Sequence, residues 1–336
     1  MTHDRITLGH GGGGTLTNKL LQEGVFSILG NELLDEHHDG AMLDLKGPVA
    51  FSTDSFVISP IFFPGGDIGE LAVNGTVNDL TMCGAIPQYL SLSFIIEEGL
   101  MMDDFWRILY SVKEACAQAK VQVVTGDTKV VERGKGDQVF INTTGVGHIH
   151  EKAKIQMSRV EAGDLIIVSD QVATHGIAIM SVREGLEFES DILSDTRPLN
   201  RSVVPLIEKF GSAIHLLKDP TRGGLASIFN EIVRDTNLGI LLDEKKIPIN
   251  PQVKGACEML GLDPLYVANE GVFVAIVSAD NAEEILTELR EMEGGGHAAI
   301  VGKVVSDHKR QVVIRSGIGG KRVVNMLVGE QLPRIC

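Results

Sequence analysis

Three aspartates lie in surroundings where a carboxylate is costly unless it is paired or holds a cation. Asp54 lies inside an apolar predicted strand, Asp79 on a predicted helix of small residues, and Asp127 just after another predicted strand. Hard oxygen ligands from several elements suit Mg²⁺ that carries a nucleotide. Each aspartate alone has a structural explanation, but the three together, beside a glycine-rich loop, favour a metal site.

A glycine run precedes the first predicted helix, where backbone N–H groups can approach a phosphate. The run Gly9-His10-Gly11-Gly12-Gly13-Gly14 formally matches a dinucleotide-binding pattern, but no second parallel strand follows at the distance that a Rossmann unit needs. No Gly-Lys-Ser or Gly-Lys-Thr sequence occurs, which excludes a Walker A loop. The alternative to a phosphate site is a flexible N-terminal arm.

A second anion site is predicted between a strand and a helix, in Lys218-Asp219-Pro220-Thr221-Arg222-Gly223-Gly224. Glycine N–H groups, a hydroxyl and a guanidinium at a helix N-terminus together bind anions. The alternative is a plain turn between the strand and the helix.

Two further residues have side chains that suit a reaction. Glu270 follows three hydrophobic residues, and a partly desolvated glutamate can act as a base with a raised pKa. A lone glutamate of this kind is more often a turn or cap residue. Cys336 stands at the end of the sequence, where a mobile segment can carry a thiol into another site.

The elements that must position these groups alternate between helix and strand. In the first half, helix 67–84 is predicted to begin at the N-cap residue Asp67 and to end at Gly84. Periodicity predicts the other elements of that half at 16–29 and 103–120 (helices) and at 50–59, 88–96, 121–125 and 138–148 (strands). The second half is predicted to hold helices at 175–184, 197–210, 224–237, 251–260 and 281–292, and strands at 164–169, 213–218, 239–243, 271–278, 298–305 and 311–315.

The composition predicts two globular domains of acidic charge. The chain has 336 residues, with 30 Lys and Arg against 45 Asp and Glu, a net charge of −15. That length suggests two domains, and a polar stretch at 151–163 marks the boundary near residue 150. The negative charge excludes a general binder of nucleic acid or of anionic membranes.

The cysteines and the apolar runs bound the compartment. Cys83, Cys116 and Cys257 are far apart and form no C-x-x-C pair, which excludes zinc-ribbon and thioredoxin sites. We interpret these three as small buried hydrophobic side chains in helices. No apolar run approaches the roughly 20 residues of a membrane span, and the N-terminus has no apolar signal stretch. We therefore expect a cytoplasmic protein with reduced thiols.

These sites, in this order, resemble the aminoimidazole ribonucleotide synthetase (PurM-like) ATP-binding superfamily and, within it, the nickel–iron hydrogenase maturation proteins. The resemblance spans essentially the whole chain and rests on residues 10–14, 51–55, 62–66, 75–79, 84–87, 124–131, 221–224, 268–271 and 333–336. The glycine run and the aspartate pattern belong to the whole superfamily. The final Pro-Arg-Ile-Cys, together with Gly126-Asp-Thr-Lys129, is much more selective.

The resemblance implies an α/β (α+β) protein with a two-domain PurM-like fold. Residues 1–150 would form an ATP-binding half-barrel domain that pairs with a second subunit, which makes the protein a homodimer. Residues 151–330 would form a C-terminal α/β domain, and residues 331–336 a mobile tail that ends in the substrate cysteine. ATP would bind between the two domains.

The resemblance also implies the reaction, which is the ATP-dependent dehydration of S-carbamoylated Cys336 to a thiocyanate. Glu270 would be the base, with Lys129 as its partner or as a charge that neutralises the phosphoryl group. The aspartates Asp54, Asp79, Asp127 and Asp219 would hold Mg²⁺. The residues that would bind ATP are His10, Gly11, Gly12, Gly13, Gly14, Asn78, Thr221, Arg222, Gly223 and Gly224.

The implied partners are a HypF-like carbamoyltransferase, which donates the carbamoyl group, and a HypC–HypD-like iron scaffold, which accepts the cyanide ligands for hydrogenase. Two alternatives stay open at this point. One is a PurM-like ATP-dependent synthetase that acts on a soluble substrate, with an idle terminal cysteine. The other is a non-catalytic ATP-binding scaffold that assembles maturation partners.

Overall fold

The structure is a computed structural model that describes residues 4–36, 40–186, 192–329 and 334–336. Residues 37–39 of the polar loop and residues 331–333 of the predicted tail lie outside the described part. Within the described part, no helix is both long enough and apolar enough to cross a membrane.

The helices of the described chain are short to medium in length and flank the strands. They are α1 (Thr15–Leu20), α2 (Ser27–Leu29), α3 (Ile68–Met82), α4 (Met102–Ala119), α5 (Thr174–Glu184), α6 (Asn200–Phe210), α7 (Gly224–Thr236), α8 (Pro251–Leu260) and α9 (Ala282–Glu291).

The strands of the described chain build two larger sheets and a small hairpin. They are β1 (Val49–Phe56), β2 (Phe62–Phe63), β3 (Gly66–Asp67), β4 (Ala85–Glu97), β5 (Gln122–Val131), β6 (Val139–Ile149), β7 (Leu165–Val168), β8 (Ile214–Lys218), β9 (Gly239–Asp243), β10 (Val274–Val277), β11 (Ala299–Val305), β12 (Val312–Arg315) and β13 (Lys321–Val324).

The first sheet has four strands in the order β1-β6-β4-β5 and one open face. Only β4 and β5 run parallel, while β6 pairs antiparallel with both of its neighbours. Buried and more exposed residues alternate along β6, which is the pattern of a sheet that is covered on one side. Helices α3 and α4 cover that side. On the open side, Phe51 is 73% exposed and Ile95 is 46% exposed.

The second sheet has seven strands in the order β13-β12-β9-β11-β7-β10-β8 and is covered on both faces. Helix α7 packs on one face, and helices α6 and α9 pack on the other. All four residues of β10 are buried, as expected for a strand that lies between two layers of helices. The result is a mixed α/β protein with one sheet on each side of residue 150, as the resemblance implies.

Most of the predicted elements are present, and helix α3 begins as expected. The Asp67 side chain accepts hydrogen bonds from the backbone N–H groups of Gly69 and Glu70, which is the N-cap interaction. The helix ends at Met82, and Gly84 follows with a φ of 79°, a left-handed conformation that favours glycine. The predicted stop signal is therefore confirmed.

The prediction for β5 was too short, and this error changes the position of a site residue. The strand does not end at residue 125 but continues to Val131, so Asp127 lies inside it. A Cβ atom at Gly126 would lie 2.0 Å from the Leu92 carbonyl oxygen on β4. Glycine here allows two strands to approach closely and does not mark a turn.

The single helix predicted at 16–29 is interrupted by a π-helical segment, Leu21–Phe26. A Cβ atom at Gly24 would lie 2.1 Å from the indole of Trp106 on α4. The missing side chain lets the helix backbone lie directly against that ring. Strands β2, β3 and β13 were not predicted, because two-residue and exposed strands have little periodicity.

The three internal cysteines are not all alike. Cys116 and Cys257 are buried in α4 and α8, as predicted. Cys83 lies just after α3 and is exposed, so its interpretation as a buried helical residue was wrong. The sequence position at the end of a helix leaves this side chain outside the core.

Candidate active site

Three of the four predicted metal ligands meet at the β1 edge of the first sheet. Asp54 lies on β1, Asp79 on α3, and Asp219 directly after β8 of the second sheet. The Asp79 carboxylate accepts a hydrogen bond of 2.7 Å from Ser52 Oγ, two residues before Asp54 on β1. The two sheets therefore contribute to one cluster of carboxylates.

Burial and mutual repulsion act on two of these carboxyl groups, Asp79 and Asp219. Burial, with a contribution from Asp54, raises the pKa of Asp79. Burial and the Asp79 charge raise the pKa of Asp219 to about 7. A divalent cation would relieve the repulsion, and an oxygen-rich ligand set of this kind fits Mg²⁺.

Glu270 lies beside this cluster and is only 3% exposed. Burial raises its pKa well above the usual value, and the nearby charges of Asp219, Asp195, Asp54 and Asp79 raise it further. Its Oε1 atom is buried without a hydrogen-bond partner among the described residues. A buried carboxylate oxygen with no partner is unusual, because such groups are normally hydrogen-bonded. The atom is therefore free to interact with a bound group.

Two side chains fix the main chain of Glu270 from opposite sides. Asn78 Nδ2 donates 3.1 Å hydrogen bonds to the carbonyl oxygens of Glu270 and Arg197, and Asn78 Oδ1 accepts one of 2.7 Å from Leu199 N. The backbone N–H of Glu270 donates to Asp195 Oδ1 at 3.1 Å. Asn78 therefore positions Glu270 in this structure, and its contact with nucleotide stays a prediction.

The thiol of Cys336 lies in the same place. The Arg222 guanidinium lies close enough to this thiol to influence its pKa, and its Nη2 lies 3.3 Å from Asp54 Oδ1. Burial and the negative charge of Glu270 raise the pKa of the Cys336 thiol to about 12, while Arg222 acts in the opposite direction. The structure thus brings together the proposed substrate, the proposed base and three proposed ligands.

The turn before α7 places Arg222 toward this cluster. Thr221 N donates to the Asp219 carbonyl oxygen at 3.0 Å, which closes a tight turn. Gly223 and Gly224 both have positive φ values, 72° and 58°. A Cβ atom at Gly224 would lie 2.6 Å from the carbonyl oxygens of Leu265 and Val267, so glycine is needed for packing here. Phosphate binding by this turn stays a prediction.

The glycine run lies against the opposite edge of the same sheet. His10 is buried, and its Nδ1 accepts a 3.0 Å hydrogen bond from Thr7 N. A Cβ atom at Gly11 would lie 2.4 Å from Val130 N on β5. Cβ atoms at Gly13 and Gly14 would meet nothing within 4 Å, which leaves open space in front of the run. That space fits a bound phosphate group.

Asp127 and Lys129 also lie at the β5 edge and point to the same side of the strand. Lys129 Nζ lies 2.6 Å from both carboxylate oxygens of Asp127, and both side chains are more than half exposed. This hydrogen bond lowers the pKa of Asp127. Asp127 lies three strands from Asp54. Asp54 on β1 pairs with Thr143 on β6, Thr143 pairs with Leu92 on β4, and Leu92 pairs with Gly126 on β5, next to Asp127.

Three strand spacings correspond to about 14 Å, so one chain does not bring its two groups of predicted residues together. The β1-edge group comprises Asp54, Asp79, Asp219, Arg222, Glu270 and Cys336. The β5-edge group comprises His10, the glycine run, Asp127 and Lys129. In particular, Lys129 lies at the β5 edge and is not adjacent to Glu270 within one chain. A single copy of the chain therefore does not form the implied pair of Glu270 and Lys129.

Two residues of this region were not predicted from the sequence. Asp195 holds Glu270, and His175 contacts the end of the chain through the carbonyl oxygen of Ile335. Neither residue belongs to a recognisable spacing pattern. Both are side chains that reach across the fold to segments far away in the sequence, so no local signal could have revealed them.

Comparison with known proteins gives the same family along the whole chain. Residues 37–149 match the N-terminal domain of AIR synthase related proteins, and residues 161–315 match the C-terminal domain of that family. Carbamoyl dehydratase HypE from Azotobacter vinelandii is 48% identical over 332 residues, which covers 98% of this chain and 97% of the relative.

Solved structures agree with the sequence comparison. A crystal structure of hydrogenase maturation protein HypE in complex with ATP matches with a TM-score of 0.95 at 46% identity, and covers 98% of this chain and 99% of that one. A HypE–HypF complex matches with a TM-score of 0.81 at 42% identity, and covers 92% and 99% of the two chains. With such identity over nearly full length, the chain belongs to the HypE carbamoyl dehydratases among the AIR synthase related proteins.

Proposed function

We propose that the chain is an ATP-dependent dehydratase that converts S-carbamoylated Cys336 to a thiocyanate, which supplies cyanide ligands for the iron of nickel–iron hydrogenase. The observation that carries this proposal is the position of Cys336, whose thiol interacts electrostatically with both Arg222 and Glu270. Relatives named carbamoyl dehydratase and a relative solved with ATP support it.

The reaction removes water from an amide, and the amide oxygen is a poor leaving group. ATP supplies a phosphoryl group that allows this oxygen to leave as phosphate. The two N–H protons of the carboxamide must be removed as the C–N triple bond forms, so a base is needed beside Cys336. The unpartnered Oε1 of Glu270, whose charge acts on the Cys336 thiol, is our candidate among the described residues.

The state of Glu270 is coupled to its neighbours. With like charges around it, the pKa of the buried carboxyl is raised, which favours its protonated form, and only the ionised form can accept a proton. Asp54, Asp79 and Asp219 would hold Mg²⁺, whose two positive charges would offset part of the negative charge that raises the pKa of Glu270. We propose that binding of the metal and the nucleotide in this way prepares Glu270 to accept a proton.

We further propose that two copies form a homodimer through the open face of the first sheet. Phe51 and Ile95 leave an apolar surface there, and apolar patches of this kind mark interfaces between proteins. A second copy placed across this face would bring its β5 edge, with the glycine run, toward the β1 edge of the first copy. This arrangement completes a site that each chain alone divides between two edges.

We also propose the two partners of the pathway. The HypE–HypF complex among the matching structures supports a HypF-like carbamoyltransferase as the donor. The acceptor of the cyanide would be a HypC–HypD-like iron scaffold. A boundary near residue 150 between the two domains is likewise our proposal.

Mass spectrometry of the C-terminal peptide tests the function. The protein is incubated with ATP, Mg²⁺, carbamoyl phosphate and the carbamoyltransferase, and the modification of Cys336 is measured. We expect Cys336 to carry a carboxamide when this chain does not hydrolyse ATP, and to carry a nitrile when it does. An unmodified thiol, or a carboxamide that never becomes a nitrile, would contradict the proposal and favour a soluble substrate or a scaffold.

A further inference from the structure

A buried histidine that the reaction above does not use lies beneath the end of the chain. His175 is on α5, is completely buried, and stands edge-on to the ring of Phe63 at 5.7 Å between ring centres. Burial lowers its pKa to about 4, so the imidazole is neutral at physiological pH.

The two ring nitrogens of His175 have distinct roles. Nε2 lies 2.9 Å from the carbonyl oxygen of Ile335, which can only accept, so Nε2 carries the hydrogen and donates. Nδ1 then accepts from Ser194 Oγ at 2.8 Å. Ser194 Oγ in turn accepts from the backbone N–H of Thr196 at 3.1 Å, which orients the hydroxyl toward the ring.

The end of the chain lies along residues 57–59 like an added strand. Val57 N donates to the main-chain oxygen of Cys336 at 3.3 Å, and Ser59 N donates to the Arg334 carbonyl oxygen at 3.4 Å. Arg183 also donates to the Arg334 carbonyl oxygen. Together with the bond from His175, the main-chain oxygens of three successive residues are therefore all bound.

One side chain of this segment serves as an anchor. Ile335 is only 3% exposed and belongs to the hydrophobic core of the first half of the chain. Cys336 is partly buried and packs against the edge of the same cluster, whereas Arg334 is exposed. A slip of one residue would expose Ile335 and bury a neighbour in its place.

We propose that residues 57–59, His175 and Arg183 form a docking groove for residues 334–336, in which His175 is a positioning residue that sets the register and so places Cys336 beside Arg222 and Glu270. This inference rests on the proposed function, because it describes how the substrate reaches the site. His175 touches no reacting atom and acts through the Ile335 carbonyl.

The same loop connects the groove to the base. Ser194 orients His175, and the adjacent Asp195 holds the backbone N–H of Glu270. The docked segment and the base are therefore fixed by neighbouring residues of one loop. Docking in the correct register and alignment of Glu270 depend on the same piece of backbone.

Alkylation of Cys336 in the full chain tests the groove without any catalytic step. Iodoacetamide modification of Cys336 is followed by mass spectrometry, with exposed Cys83 as the reference thiol in the same molecule. His175→Phe keeps an aromatic ring, although a larger one, but removes the hydrogen bond, and we expect Cys336 to react about tenfold faster or more, relative to Cys83. His175→Gln, which retains one amide donor, should restore part of the protection.

A second pair of variants covers the case in which His175→Phe does not fold. Ile335→Asp should release the segment and accelerate the alkylation of Cys336, whereas Ile335→Leu, of equal volume, should leave it slow. If Ile335→Asp or a folded His175→Phe leaves Cys336 as slow as in the wild type, the groove is overturned.

The activity of the same variants separates the two proposals. Release of the segment should reduce nitrile formation on Cys336, while ATP affinity and carbamoylation by the transferase are unchanged. A merely structural defect would lower all three. If the wild type forms no nitrile but the alkylation pattern is as expected, the groove stands and the proposed function fails.

Discussion

The two edges of the first sheet carry carboxylates in opposite conditions. At the β1 edge, burial and mutual repulsion raise the pKa values of Asp79, Asp219 and Glu270. At the β5 edge, the exposed Asp127 is satisfied by Lys129, and its pKa is lowered. The negative charges at the β1 edge are therefore not balanced by the protein, and a bound ligand must supply positive charge. At the β5 edge, Lys129 already balances Asp127, and both side chains are exposed to another molecule.

The largest effect that we expect concerns the base at the β1 edge. Glu270→Gln keeps the shape but cannot accept a proton, so thiocyanate formation on carbamoylated protein should fall about 100-fold or more. Single-turnover mass spectrometry measures this rate, and ATP affinity is measured in parallel. Glu293→Gln, at a side chain that is 79% exposed, is the matched control and should have no effect. An equal rate for Glu270→Gln would remove this residue from the mechanism.

The second prediction tests whether the two edges of different copies form one site. Asp127→Asn and Glu270→Gln should each be inactive, but a mixture of the two should recover about a quarter of the wild-type rate. About half of the dimers would be mixed, and each mixed dimer would hold one intact site and one doubly altered site. Nitrile formation after co-expression is the readout. A mixture that is no more active than its parents would show that each chain works alone.

The third prediction concerns Asp195 near the β1 edge, whose burial lowers the free energy of unfolding. Burial raises the pKa of Asp195 to about 6, from an ordinary value of 3.8. Between these two values the unfolded chain has released the proton that the folded chain retains, so stability falls as pH rises and the full penalty is present above pH 6. Asp195→Asn should therefore increase the free energy of unfolding by about 1–3 kcal/mol at pH 8.

At pH 3 the same substitution should have little effect, because that pH lies below both pKa values and both states then hold the proton. Urea unfolding followed by circular dichroism at the two pH values measures the difference. A variant that is destabilised at pH 8 would show that the Asp195 charge is compensated in the folded protein.

The smallest effect is expected for the matched residue at the other edge. Asp127→Asn should lower the free energy of unfolding by less than about 0.5 kcal/mol at pH 8, since an exposed ion pair contributes little. The sign is opposite to that at Asp195, because the pKa of Asp127 is lowered, and its contribution is lost as pH falls. The same urea experiment applies. If Asp127→Asn instead increased the free energy of unfolding, the proposed difference between the two edges would be wrong.

Sequence reasoning selected several residues that lie together in the structure, but it did not predict the arrangement of all of them. The carboxylates Asp54, Asp79, Asp219 and Glu270 lie in unusual local surroundings, and those surroundings are visible in the sequence. Their meeting depends on elements that periodicity also predicts well, such as α3 and the turn before α7.

The separation of Asp127 and Lys129 from Glu270 was not predictable in the same way. It depends on the strand order β1-β6-β4-β5, which long-range pairing determines and no local pattern records. The predicted strand also ended too early, at residue 125, although Gly126 lies within β5 and permits close contact with β4. Side chains such as His175 and Asp195, which act across the fold, are beyond the reach of one sequence for the same reason.

The contact between Gly24 and Trp106 provides a built-in optical reporter. Trp106 is the single tryptophan of the chain, and the π-helical segment that follows the glycine run lies directly on its ring. Any movement of that segment when a nucleotide binds would change the surroundings of this one indole. Intrinsic fluorescence at this position would therefore report any such movement in the unlabelled protein, without a signal from any other indole.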